Sequence, residues 1–293
     1  IWNKLMSFKK SINKYKTSNV SGSIDTLHNI RKKIDIIDNK IHDLIMERAE
    51  IVEQVVGEKK KENKQSLVIY RPAREHEILV RLLKRHRGNL GKKALINIWR
   101  NLISAYIGMQ GGLTLSYCGN IDRIVNKHFG LGIKKTKTKT ALDALKSVNE
   151  NKSQITVLPF PNKDNDWWVK FSNFEGINVI GSISESDHGI PQTLILGKQN
   201  IEYFNYNIVL YILEIESKNV KAYSKLLFLN DYIIVAVKII GNNKVIIIFS
   251  TKVSSCEEAE DKIKSIKNTQ FNINTPPKIM GVFAIFDEGV LNG

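Results

Sequence analysis

Cysteine is nearly absent from this chain. Cys118 and Cys256 are the two among 293 residues, they stand far apart, and neither forms a metal-spacing motif, so a reducing, cytoplasmic setting is expected. No apolar run is long enough to span a membrane. Residues 1–22, IWNKLMSFKKSINKYKTSNVSG, are basic and polar and lack the apolar central region of a secretion signal. They are expected to form a basic tail, with Met6 a candidate natural start. Acidic residues are also in deficit: 29 Asp and Glu face 44 Lys and Arg, a formal net charge of +15. A clustered excess of that size would suggest salt-dependent phosphate binding. Here the charge is spread along the chain amid heavy use of Lys, Asn and Ile, and no nucleic-acid partner and no membrane partner is expected. What is present, 42% hydrophobic residues, is enough for two or three domains with real cores.

The most informative stretch runs from Leu27 to Lys59, with Ser23 or Asp25 as the expected helix cap. Leu27, Ile30, Ile34, Ile37, Ile41, Leu44, Ile51 and Val55 alternate in steps of three and four, the apolar seam of one helix in a bundle. Position 48 of that seam is Arg48, and four residues beyond Val55 stands Lys59. A buried guanidinium costs several kcal/mol unless an anion meets it, and no Asp or Glu of this helix shares the stripe. The expected anion is a ligand. Eleven residues place Arg48 and Lys59 nearly in line and roughly 16 Å apart along the axis, close enough for two long side chains to grip one small molecule. Arg31 is roughly 25 Å from Arg48 and rotated off the stripe, so it could serve such a pocket only in a neighbouring chain. The plainer readings are an exposed Arg31 in the run IRKK and an Arg48 that reaches back to solvent.

Arg71-Pro72 opens a second helix, with Pro in the first turn and Ile78, Leu79, Leu82 and Leu83 as its apolar face. A turn at Gly88–Gly91 leads to a third helix from about Lys92 to Gln110, striped by Leu95, Trp99, Ile103 and Tyr106. Gln110 is the next position on that stripe, and a buried Gln must have partners.

The long first helix with Arg31, the MER run with Arg48, then Lys59, YRPARE and a third helix ending in Gln110 resemble the all-helical, AroQ-class chorismate mutases over residues 24–110. The resemblance implies an intertwined homodimer with shared sites and conversion of chorismate to prephenate by an intramolecular [3,3] rearrangement. Such a reaction needs no metal and no cofactor; it needs the compact substrate conformer held and charge on the breaking ether oxygen stabilised. By resemblance, Arg48 and the partner chain's copy of Arg31 bind the two carboxylates. Lys59 and Gln110 donate to the ether oxygen, and Glu75 accepts from the ring hydroxyl. Ile78 and Leu79 stand where some members carry further polar residues, and Arg74 is the candidate substitute.

Beyond Gly111-Gly112 the order is strand, helix, strand: LTLSYCG, TALDALKSVNE, ITVLPFPN, GINVIGSI and QTLILG. This part resembles a prephenate dehydratase domain with its signatures lost. Pro161 replaces the Glu of one signature, with Asn162 kept, and Pro191-Gln192-Thr193 replaces the Thr-Arg-Phe strand. Only about thirty residues separate the two signatures, where the family inserts a whole second lobe. The last third reads βαββαβ with a tight turn at Gly241-Asn242-Asn243, a ferredoxin-like sandwich resembling regulatory ACT domains. That resemblance implies an amino-acid effector, although Ser217-Lys218-Asn219-Val220 replaces the family's small-residue loop.

The expected architecture is therefore multidomain: a tail at 1–22, an all-α three-helix domain at 23–111, a one-lobe α/β domain at 112–202 without dehydratase activity, and an ACT-like α+β domain at 203–293. Two other classes stay open: a regulatory amino-acid-binding protein whose helical bundle serves dimerisation, and a basic nucleic-acid binder.

Overall fold

The structure is a computed structural model that describes residues 2–61, 70–130, 132–184, 191–203, 207–267 and 276–286; the side chains of 2–25, 56 and 59–61 are not described. The chain divides into two compact units, Ile1–Gln65 and Ser66–Gly293.

The first unit is built on one helix, α1 (Trp2–Lys61), 60 residues long. This corrects the expected tail: the helix starts at Trp2 and passes through Ser23 and Asp25 without a break. No proline stands between Trp2 and Lys61, and a serine or aspartate caps a helix only where the preceding residues leave helical geometry. The seam is present as expected but uncovered in the single chain. Leu27, Ile34, Ile41, Leu44 and Ile51 are each about half exposed, Leu44 the most at 62%. A continuous apolar stripe in that condition has the composition of a face that other helices cover.

The second unit begins with a helical hairpin, α2 (Pro72–Arg85) and α3 (Lys92–Met109). Pro72 sits in the first turn of α2, and Leu79, Leu83 and Ile96 are buried between the helices, with Leu95, Trp99 and Phe286 packed against them. A mixed sheet follows, formed by β1 (Thr114–Tyr117), β2 (Lys134–Lys137), β3 (Ile155–Pro159), β4 (Asn178–Ile183), β5 (Thr193–Gly197), β6 (Asn207–Glu216), β7 (Ile233–Ile240), β8 (Lys244–Val253) and β9 (Lys278–Ala284). Its strand order is β2-β1-β3-β5-β4-β9-β6-β8-β7. β1 is parallel to both β2 and β3, whereas β3–β5 and β5–β4 are antiparallel. The last four strands, β9-β6-β8-β7, are antiparallel throughout. With α6 (Val220–Leu229) and α7 (Cys256–Lys267) between them, they follow the expected βαββαβ order, and Gly241 makes the β7–β8 turn at φ +58°.

The two halves of the sheet meet where β4 runs parallel to β9 at Val179 and Gly281. Gly281 is at φ +147°, and a Cβ there would collide with the Val179 backbone. One core then spans both halves: Leu145, Leu158, Trp168 and Leu194 share a cluster with Leu210, Ile248 and Met280. Packing is therefore continuous across 202/203. It is also continuous across 111/112, because Tyr70 and Ile107 join Leu115, Val125 and Phe129 in a second cluster. Gly181 on β4 leaves room for Pro72; a Cβ on it would lie 2.9 Å from the Pro72 Cβ.

Two elements go beyond the sequence-based expectation. α4 (Asp122–Phe129) has eight residues, too few for a periodic signal to accumulate, and β2 (KKTK) is an edge strand whose lysines protect it rather than pack. α5 (Ala141–Asn149) falls where the ALDALKSV run predicts a helix, capped by the Thr140 hydroxyl accepting from the Asp143 N–H.

Candidate active site

α1 carries Arg31, Arg48 and Lys59. Arg31 is exposed and Arg48 half-buried, and the unbroken helix puts them about 25 Å apart along its axis. One chain therefore does not bring these two guanidinium groups together on its own α1. Lys59 lies on the same helix, with its side chain outside the described residues.

In the second unit Glu75 occupies the first turn of α2, where the unpaired N–H groups of the helix start favour a carboxylate. Its side chain is 10% exposed. Arg100 of α3 donates from Nε to Glu75 Oε1 at 3.2 Å, and this guanidinium is itself largely buried. From α4, His128 brings Nε2 to 3.9 Å from the same oxygen. The same nitrogen is 3.1 Å from the Tyr70 hydroxyl, and Tyr70 immediately precedes Arg71 and the start of α2. Three helices and the lead-in to α2 thus converge on one carboxylate. The Ser104 hydroxyl donates to the Phe129 carbonyl and ties α3 to α4 beside this cluster.

Burial dominates the electrostatics. It raises the Glu75 carboxyl above its ordinary range, and the Arg100 charge and hydrogen bond pull it back down. His128 is held neutral, well below the usual imidazole range, by burial first and by the Arg100 charge second. His76, the next residue on α2, is lowered to about 4 for the same two reasons in the same order. The Tyr70 hydroxyl is pushed well up by burial and by the Glu75 charge. The cluster therefore pairs one carboxyl with one guanidinium among neutral donors and acceptors.

The other expected residues are more open. Arg74 is exposed and pairs with Glu77 one turn along α2. Gln110 is the C-cap of α3, half-buried, its N–H donating to the carbonyls of Tyr106 and Ile107. Among the described residues no three His, Cys, Asp or Glu side chains are grouped as metal ligands, and no helix is long and apolar enough to cross a membrane.

Arg100, His128 and Tyr70 were not among the sequence-derived candidates. A signal for Arg100 existed: the buried face of α3 runs Ile96, Ser104 and Ile107, and Arg100 is the polar residue standing four positions from each of the first two. His128 had no such signal, because its short helix carries too little periodicity to define a face.

Comparison with known proteins addresses both units. Residues 30–111 match the family model described as chorismate mutase type II. A bifunctional chorismate mutase/prephenate dehydratase of Aquifex aeolicus (strain VF5) is 29% identical over 147 residues, 47% of this chain and 40% of that protein. The match thus spans well under half the length of this curated relative. Among solved structures, a quorum-quenching acylase, GqqA, aligns over 58% of this chain and 94% of its own at 12% identity and a TM-score of 0.45. A prephenate dehydratase from Streptococcus mutans aligns over 59% of this chain and 97% of its own, also at 12% identity, with a TM-score of 0.43. Residues 30–111 are thus similar to a chorismate mutase type II domain, and a mixed-sheet region follows them.

Proposed function

We propose that the chain is a chorismate mutase that rearranges chorismate to prephenate in aromatic amino-acid biosynthesis, acting as a homodimer with shared sites in the cytoplasm. The observation that carries this reading is the coincidence of the type II family match with the spacing of Arg31, Arg48, Lys59, Glu75 and Gln110. The uncovered apolar seam of α1 supports the dimer, since a long stripe of Ile and Leu is stable in water when a second helix covers it.

In this reading Arg48 and the partner chain's copy of Arg31 take the two substrate carboxylates as charge-assisted pairs. Lys59 and Gln110 stabilise the charge that develops on the breaking ether oxygen, the group on which catalysis depends most. Glu75 accepts from the ring hydroxyl, and Arg74 supplements the carboxylate contacts. The bond cleavage and bond formation are concerted within the substrate, so no residue exchanges a proton or forms a covalent bond. Binding the compact conformer supplies the rest of the acceleration.

The sheet region is read as non-catalytic. Pro191-Gln192 offers neither the hydroxyl nor the guanidinium of the dehydratase signature, and the βαββαβ segment is ACT-like with an amino acid as its candidate effector. An assay following chorismate loss and both products tests the whole reading. Prephenate should accumulate without added metal or nucleotide, and phenylpyruvate should stay at the uncatalysed background. Absence of prephenate would sink the mutase assignment, and enzymatic phenylpyruvate would sink the non-catalytic reading of the sheet.

A further inference from the structure

Glu75 is the site residue whose surroundings the structure describes most fully, and those surroundings extend beyond the family-matched segment. Arg100 on α3 and His128 on α4 both address Oε1, at 3.2 Å and 3.9 Å, and Tyr70 closes over His128 from the chain entering α2. A carboxylate this enclosed keeps its charge only if a cation stays beside it. Its direction is then set by whatever fixes that cation. Arg100 is suited to this, because its planar guanidinium donates from Nε along a defined line and its side chain is largely buried.

We propose that Arg100, backed from α4 by His128, is a positioning residue that keeps Glu75 charged and aims it at the substrate's ring hydroxyl. This rests on the chorismate mutase reading above. Both contacts fall on Oε1, which leaves Oε2 to accept from the hydroxyl. His128 contributes as a neutral, packed donor or acceptor and not as a second charge, since a second cation would weaken the alignment that one cation imposes. A segment outside the family match thereby enters the mutase reaction: α4 lies beyond residues 30–111, yet its His128 Nε2 stands 3.9 Å from the Glu75 carboxylate.

Among the described residues, Arg100 from α3 and His128 from α4 reach Glu75 Oε1, Tyr70 ahead of α2 bonds His128, and His76, the next residue on α2, packs on Phe286. Burial holds both histidines neutral through the range in which a carboxylate titrates above its ordinary value. An acid limb of the rate profile therefore reports Glu75, with Arg100 as the charge that sets its position.

The test compares full-length wild type with Arg100→Gln, Arg100→Lys, Glu75→Gln and the Arg100→Gln/Glu75→Gln double variant. It follows kcat and KM for chorismate from about pH 4.5 to 8, a range that brackets a raised carboxylate, with thermal unfolding confirming that each variant folds. Arg100→Gln should lower kcat/KM about tenfold at neutral pH. It should also move the acid limb up by about one pH unit, because the cation that favours the charged carboxylate is gone. Arg100→Lys should retain most of the limb position while KM rises, since charge survives and the fixed Nε direction does not. Glu75→Gln should abolish the limb, and adding Arg100→Gln to it should cost little more. An unmoved limb in folded Arg100→Gln, or an equal further loss in the double variant, overturns the positioning role while leaving mutase activity intact. If Arg100→Gln fails to fold, the Arg100→Lys profile decides, with unchanged KM counting against the proposal. A wild type that forms no prephenate removes the activity reading and this one with it.

Discussion

Replacing Arg31 or Arg48 with alanine gives the most discriminating experiment, because its logic follows from one continuous helix. α1 runs unbroken from Trp2 to Lys61, so the seventeen residues between the two arginines convert to about 25 Å along the axis. A substrate with two carboxylates a few ångströms apart cannot bridge that span on one helix. Each arginine in the proposed site makes a charge-assisted pair with a carboxylate, and losing two parallel hydrogen bonds of this kind costs about 3–4 kcal/mol. That is about two to three orders of magnitude in kcat/KM, so each single variant should be nearly inactive. Mixing the two inactive variants under conditions of subunit exchange should restore activity. Half of the dimers in a statistical mixture are mixed, and each mixed dimer holds one site with both arginines and one with neither. Recovery should therefore approach roughly a quarter of wild-type activity. Prephenate formation measures it, and native mass spectrometry of differently tagged chains confirms exchange. No recovery despite confirmed exchange would refute the shared site and leave Arg31 as an exposed helix residue.

Two further outcomes follow from the second unit. Gly281→Ala should destabilise by about 3 kcal/mol or more, seen as a lowered urea midpoint, because a Cβ there strikes the Val179 backbone and the position has φ +147°; an unchanged midpoint would show that the β4–β9 junction is not as close as described. Stability should fall as pH drops from about 6.5 towards 4: His76 titrates near 4 in the fold against an ordinary 6.5, and His128 also lies below its ordinary value, so the unfolded chain binds more protons in that window. Glu75 acts with the opposite sign, its raised pKa adding stability that is present below the ordinary carboxylate value and lost as pH rises through the folded one. Urea midpoints between about pH 7 and 5 measure the balance; His76→Gln should lessen the loss of stability on acidification, and a slope unchanged from wild type in that variant would contradict a neutral His76.

Periodicity makes much of this protein legible in its sequence. The seam of α1 places Arg48 on an apolar stripe, and that conflict between local pattern and charge is what makes it a candidate ligand group. Pro72 marks the start of α2, the ALDALKSV run marks α5, and alternating apolar runs mark most strands, because each depends on neighbours only a few residues away.

Other features depend on more than a local signal. Helix α1 extends to Trp2 because nothing ahead of Ser23 breaks it, and a capping residue alone does not start a helix. The β4–β9 junction joins Val179 to Gly281, segments far apart in the chain, so divisions expected at 111/112 and 202/203 became one packed unit. Sequence alone therefore determined α2, α3, α5 to α7, the central part of α1, most of the strands and the placing of Arg48 on an apolar stripe, all of which are local properties. The tertiary structure alone decided that Glu75 is enclosed by Arg100, His128 and Tyr70. A buried ion pair is created by contacts between elements, and no single-helix pattern encodes which distant side chain will lie opposite.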